Sequence, residues 1–154
     1  MKVRAAGLLD VARVEQLHRL GDGRISEEPP PVRLWQLVSH TFSAWLPLTQ
    51  ESLLFVAEEG GKLIGFIQAS VLHGAPLSLS SATALQVLNL AVTASRDPSE
   101  VAPALIDHLS NQALERGVHR LFVRLPLDDP LTPLFRLQSF RQYATETVLY
   151  AESP

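Results

Sequence analysis

The stretch "LLFVAEEGGKLIGFIQASVL", residues 53–72, constrains the fold more than any other part of the chain. Two short apolar runs rich in Leu, Ile, Val and Phe flank Gly60-Gly61, and a Gly-Gly pair supplies the two left-handed residues of a tight two-residue turn. The pattern predicts an antiparallel hairpin. A lone hairpin is at best marginally stable in water, so its apolar faces demand further strands and covering helices. With 154 residues the chain can supply them as one domain, residues 1–154, burying roughly 70% of the surface of its unfolded form.

The other elements follow from local pattern. Residues 2–6 predict a short strand, and Asp10 is placed to cap a helix with Val11, Val14, Leu17 and Leu20 on one side and Gly21 as its stop. "GDGRISEEPPP", residues 21–31, predicts a loop. Leu34, Val38, Phe42 and Trp45 then recur at helical spacing. A strand is expected over roughly 83–92, and a helix ending at Arg116 with Gly117 beyond it. "VHRLFVRLP" alternates, which predicts a half-buried strand with Leu121 and Val123 inward and Arg120, Phe122 and Arg124 outward. "DPLTPLFRLQSF" predicts a short helix with Pro133 in its first turn, and "YATETVLYAE" a single final strand. The order βααβββαβαβ describes a mixed α/β domain around one sheet.

Composition removes several function classes. Absence of cysteine excludes disulfides, thiolate zinc sites and a cysteine nucleophile. His18, His40, His73, His108 and His119 show no metal-ligand spacing, so no metal is expected. A net charge of −3 without clustered Lys/Arg argues against nucleic acid as a partner. Asp10 and Glu15 interrupt any leader-like apolar core and no run reaches membrane-spanning length, so neither secretion nor a membrane is expected and the cytoplasm is the expected location. No phosphate-loop lysine motif, dinucleotide fingerprint or Ser/His/Asp order occurs.

"SRDPSEVAPALIDHL", residues 95–109, carries a strand into a helix, an arrangement whose free backbone N–H groups and helix dipole suit an anion. Asp97-Pro98-Ser99-Glu100 has the form of a self-capped start: a capping Asp, proline at the first helical position, and Glu three after the cap. Pro103 would then lie inside the helix and cost a hydrogen bond. If the helix begins at Pro103 instead, residues 95–102 form a longer loop and Arg96 is free to turn to a phosphate. Both starts are compatible with the residues.

In this order the segments "VRAAGLLDVARVEQLHRL", "LFVAEEGGKLIGFIQAS", "LNLAVTA...ALIDHLSNQALERGVHRLFVRLP" and "LTPLFRLQSFRQYATETVLY" resemble the GNAT superfamily of acyl-CoA-dependent N-acyltransferases over nearly the whole chain. The resemblance implies one mixed sheet with helices on both faces. It also implies acetyl-CoA as co-substrate, bound along the strand near Leu90, Ala91 and Val92 and at the following helix start, with Arg96, Val101, Ala102 and Phe135 as further cofactor positions. A small amine would lie under a roof including Trp35, with Gln86 beside it. The family's Arg/Gln-x-x-Gly-x-Gly/Ala phosphate pattern falls on Asp97, Glu100 and Ala102, so two positions are acidic. A carboxylate ~6 Å from a phosphate charge costs on the order of 3 kcal/mol at an effective dielectric of about 20, before solvent screening.

Where many members hold a tyrosine as general acid this chain has Phe135, and Ser139 stands for a glycine. Gln86 and Asn89 occupy the strand that elsewhere carries a glutamate base. Trp35, off the stripe of Phe42 and Trp45, suits a pocket wall or an interface, and Asp22, Glu27 and Glu28 either attract a cationic amine or form a solvated acidic loop. Two functions stay open: an atypical N-acetyltransferase acting by direct attack on the thioester, and a GNAT-fold binding or regulatory module, such as a homodimer, that no longer binds CoA.

Overall fold

In this computed structural model the described residues are 1–20, 22–26, 52–72, 84–125, 128–138, 140–144 and 148–152. The predicted second helix with Trp35, His40, Phe42 and Trp45 lies outside them, as do Glu27, Glu28, His73 and Ser139. In chain order the elements are β1 (Lys2–Ala5), a 3-10 turn (Leu8–Asp10), α1 (Val11–Leu20), β2 (Asp22–Ser26), β3 (Ser52–Glu59), β4 (Lys62–Leu72), β5 (Ala84–Val92), α2 (Pro98–Glu115), β6 (Arg120–Arg124), α3 (Thr132–Leu137), β7 (Arg141–Ala144) and β8 (Val148–Glu152).

One sheet runs β1-β3-β4-β5-β6-β8-β7, antiparallel except for the parallel pair β5/β6, with β2 attached to β5. The hairpin forms as predicted: Gly60 and Gly61 have φ of 57° and 76°, and Glu59 faces Lys62. Alternation along β3 splits its residues between two cores. Leu53, Phe55 and Ala57 join α2 and α3 on one face, while Leu54 and Val56 join Val11, Val14 and Leu17 of α1 on the other. Helices therefore cover both faces, as the resemblance implied. Gly117, at φ 74°, ends α2: its N–H donates to the Leu114 carbonyl and that of Val118 to Ala113, the paired bonds of a left-handed C-terminal cap.

Three sequence expectations are corrected. Residues 22–26 form β2 rather than loop, because the β5 edge supplies backbone partners that local composition does not reveal. The closing segment is two antiparallel strands, β7 and β8, rather than one. Phe122 is only 4% exposed, so the centre of β6 is buried on both faces instead of alternating.

Asp10 is a fourth case. Its carboxylate turns back to accept the Gly7 N–H at 2.7 Å and two Arg4 bonds at 2.7 and 3.0 Å, and Arg4 also pairs with Glu58 at 2.7 Å. Asp10 thus ties β1 to the turn before α1. The Arg4 guanidinium holds the Asp10 carboxyl below the usual carboxylate range, assisted by the Gly7 N–H, against burial, which pushes it up. A depressed folded value stabilises the protein above the unfolded carboxylate value, about 4, and that contribution disappears as pH falls through the folded value. Arg4→Met is therefore expected to lose about 1–2 kcal/mol at neutral pH, between the ranges of buried and exposed charged bonds, with the deficit shrinking below about pH 4 in urea titrations.

Candidate functional site

The candidate site is built on β5. Its register with β4 passes from Gln68↔Asn89 to Ala69↔Val87, so Leu88 has no opposite residue and forms a bulge. The extra residue reverses the alternation, and Leu85, Val87, Leu90 and Val92 all reach the α2-side core although their spacing changes parity. On the other edge, β5 pairs with β6 at Leu85↔Leu121 and Gln86↔Phe122. Beyond these residues the same edge is taken by β2, through Ser26↔Asn89, Ile25↔Leu90 and Asp22↔Val92. A short strand from the chain's own N-terminal third thus lies along the backbone predicted to receive the cofactor.

The helix start after β5 takes the self-capped form. Asp97, at φ −72° and ψ 122°, accepts the Ser99 N–H at 2.9 Å, and Pro98 is the first helical residue. The Ser99 backbone bond, then its hydroxyl, holds the Asp97 carboxyl below its ordinary range. Pro103 does lie inside the helix. The bond it forgoes belongs to the carbonyl of exposed Ser99, in the first turn, where water can replace it. Glu100 departs from the expected reciprocal cap: its carboxylate lies 3.5 Å from Arg96. Arg96 also bonds Glu59 at the hairpin turn, so two carboxylates engage the loop's only cation.

The other predicted site residues fall as follows. Leu90, Ala91, Val92, Val101 and Ala102 are fully buried, so they can offer a ligand backbone atoms rather than side chains. Phe135 is also fully buried, its ring 5.0 Å from that of Phe140 in an edge-on contact. Gln86 is half-buried on β5, and Trp35 lies outside the described residues. Asn89 donates through Nδ2 to Gln68 Oε1, and both side chains are buried. Among the described residues no group of three or more His, Asp or Glu is arranged to hold a metal, and no helix is long and apolar enough to cross a membrane. Sequence reasoning missed β2, the Arg96–Glu59 pair, and a cleft beside α1 taken up below. None of these joins residues close in sequence.

A mixed sheet with helices on both faces, a bulged central strand and a strand-to-helix loop at its end make up an α/β domain of the kind the resemblance implied. The chain belongs to the acetyltransferase (GNAT) family, whose model matches residues 17–140. Solved structures share the fold. A GNAT family acetyltransferase from Brucella melitensis in complex with acetyl-CoA matches at a TM-score of 0.66 and 20% identity, over 99% of this chain and 88% of that one. Arabidopsis thaliana NAA60 in complex with acetyl-CoA matches at 0.72 and 18%, over 97% and 94%. The aminoglycoside 6′-N-acetyltransferase of Acinetobacter haemolyticus matches at 0.69 and 15%, over 100% and 99%. No curated protein sequence matches the chain.

Proposed function

We propose that the chain is an acyl-CoA-dependent N-acetyltransferase acting on a small amine, with acetyl-CoA extended along the β5 backbone at Leu90, Ala91 and Val92 and reaching the start of α2. The observation that carries this reading, together with family membership, is the β5 edge itself. Past Gln86 it pairs with the short strand β2 instead of β6. An amide-bearing ligand can take over such an edge by the same backbone hydrogen bonds. β2 must then give up three residue pairs, each bond worth about 0.5–1.5 kcal/mol net. This lowers apparent affinity without abolishing it.

The reaction is direct attack of the neutral amine on the thioester carbonyl: the C–N bond forms, the C–S bond breaks, and the amine proton leaves with the thiolate or to water. The chain's contribution is alignment, which alone supplies a large share of such barriers. The bulge at Leu88 turns backbone groups out of the β4 ladder, where an N–H can polarise the carbonyl oxygen. Phe135 has no proton to give. Trp35 and Gln86 are assigned to the amine side.

Specific observations favour a second reading, a binding or regulatory module that no longer takes CoA. Asp97 caps the helix donors, Glu59 and Glu100 hold Arg96, and β2 covers the β5 edge. Calorimetric titration with acetyl-CoA separates the two. Wild type is expected to bind in the micromolar range, and Asp97→Arg/Glu100→Gly at least about tenfold tighter, as relief of like-charge repulsion predicts. A silent wild type beside a variant that binds would overturn the transferase reading in favour of the module.

A further inference from the structure

An acidic, self-capped helix start is a poor place for phosphate, yet positive charge gathers on the opposite side of the Thr93–Arg96 loop. Between α1, the first residues of β4 and this loop lies a cleft of about 640 Å³, lined by Arg13, Gln16, Lys62, Thr93 and Ser95 among others. Leu17 and Leu63 add an apolar part to its wall. The side chains of Arg13 and Lys62 have no hydrogen bond or ion pair among the described residues. The carboxylates that neighbour them are engaged elsewhere. Asp10, whose carboxyl feels the charge of Arg13, is held by Arg4 and Gly7. Glu59, opposite Lys62 in the hairpin, is bonded to Arg96 and lies 3.8 Å from the N-terminal amine.

We propose that this cleft is a phosphate-binding subsite. Arg13 and Lys62 supply two charges from different elements, neither paired among the described residues, while Gln16, Thr93 and Ser95 supply neutral donors. A chain of net charge −3 thereby presents a local positive site. Leu17 and Leu63 suit the organic part of a phosphorylated ligand better than bare inorganic phosphate. Thr93 directly follows Val92, so the cleft opens at the end of the strand along which the proposed cofactor runs. Its phosphates would then be held by Arg13 and Lys62 on the α1 side of the loop, still within the field of Asp97 and Glu100 across it. The identity of the ligand as acetyl-CoA rests on the proposed function; the phosphate chemistry of the cleft does not.

The probe is inorganic pyrophosphate, titrated calorimetrically at low and moderate salt against wild type, Arg13→Gln/Lys62→Gln, and the control Lys2→Gln, with thermal melts confirming folding. Wild type and the control are expected to bind in the millimolar range or better, weakening with salt, and the double variant at least about tenfold more weakly. Equal affinity in the double variant, or no binding by wild type at low salt, overturns the subsite. A parallel acetyl-CoA titration names the source of the phosphate. Parallel loss in the double variant identifies acetyl-CoA. Pyrophosphate binding through Arg13 and Lys62 without acetyl-CoA binding leaves the subsite to another phosphorylated ligand and removes the transferase reading alone.

Discussion

Phe135→Ala is expected to destabilise the protein by about 3–5 kcal/mol, the usual cost of emptying a fully buried aromatic site. The ring is 0% exposed, stands edge-on to Phe140, and belongs to the core that joins α3 to α2 and the sheet. Backbone bonds tighten the same corner, the Phe140 N–H donating to the Phe135 carbonyl at 3.1 Å and Phe135 N–H to Leu131 at 3.1 Å. Urea unfolding would show a lower midpoint at unchanged slope. A loss below about 1 kcal/mol would mean the ring is not packed as described. Phe135→Tyr also probes function. A hydroxyl placed in this dry site without a partner is expected to cost about 1–3 kcal/mol and to leave turnover unchanged. A rise in turnover would instead show that the position faces the reacting thioester.

Gly65→Val is the second large effect, about 3 kcal/mol at the upper end of overpacking. A Cβ at Gly65 would stand 2.9 Å from Val101 Cγ1, 3.1 Å from Leu105 Cδ1 and 3.2 Å from the Ala91 carbonyl oxygen. The two side-chain ends can give way, but the Ala91 carbonyl is fixed in β5. Glycine is needed here for close approach, since it lets the first turns of α2 rest directly on β4. Because Gly65 faces Val92 at the end of β5, the same substitution pushes the helix start and the Thr93–Arg96 loop away from the sheet. Thermal melts should therefore fall together with any acetyl-CoA or pyrophosphate affinity. A stable Gly65→Val with unchanged binding would contradict this packing.

What could be read from the residues was local. The hairpin followed from Gly60-Gly61 and the end of α2 from Gly117, while its start, open between Asp97-Pro98 and Pro103 on the residues alone, lies at Pro98 in the structure. The order of the elements made a mixed α/β domain around one sheet foreseeable, and the resemblance of the ordered segments to the family implied helices on both faces. β2 escaped notice because its partners on β5, such as Val92 for Asp22, are far away in the chain and Gly21 and Gly23 at its start signal a loop. The break between β7 and β8 escaped because "TET" carries no glycine or proline.

The residues around the site divide in the same way. Asp97 and Glu100 announced an acidic helix start from sequence alone, because a cap and its donors are neighbours in the chain. That Arg96 turns to Glu59, that β2 lies on the β5 edge, and that Arg13 and Lys62 meet in one cleft were decided by the fold, which brings α1, the hairpin and the β5 loop to the same end of the sheet. Local hydrogen bonding is set by short spacings that a sequence displays. The pairing of charges and the filling of a strand edge depend on which distant segments share a surface, and only packing settles that.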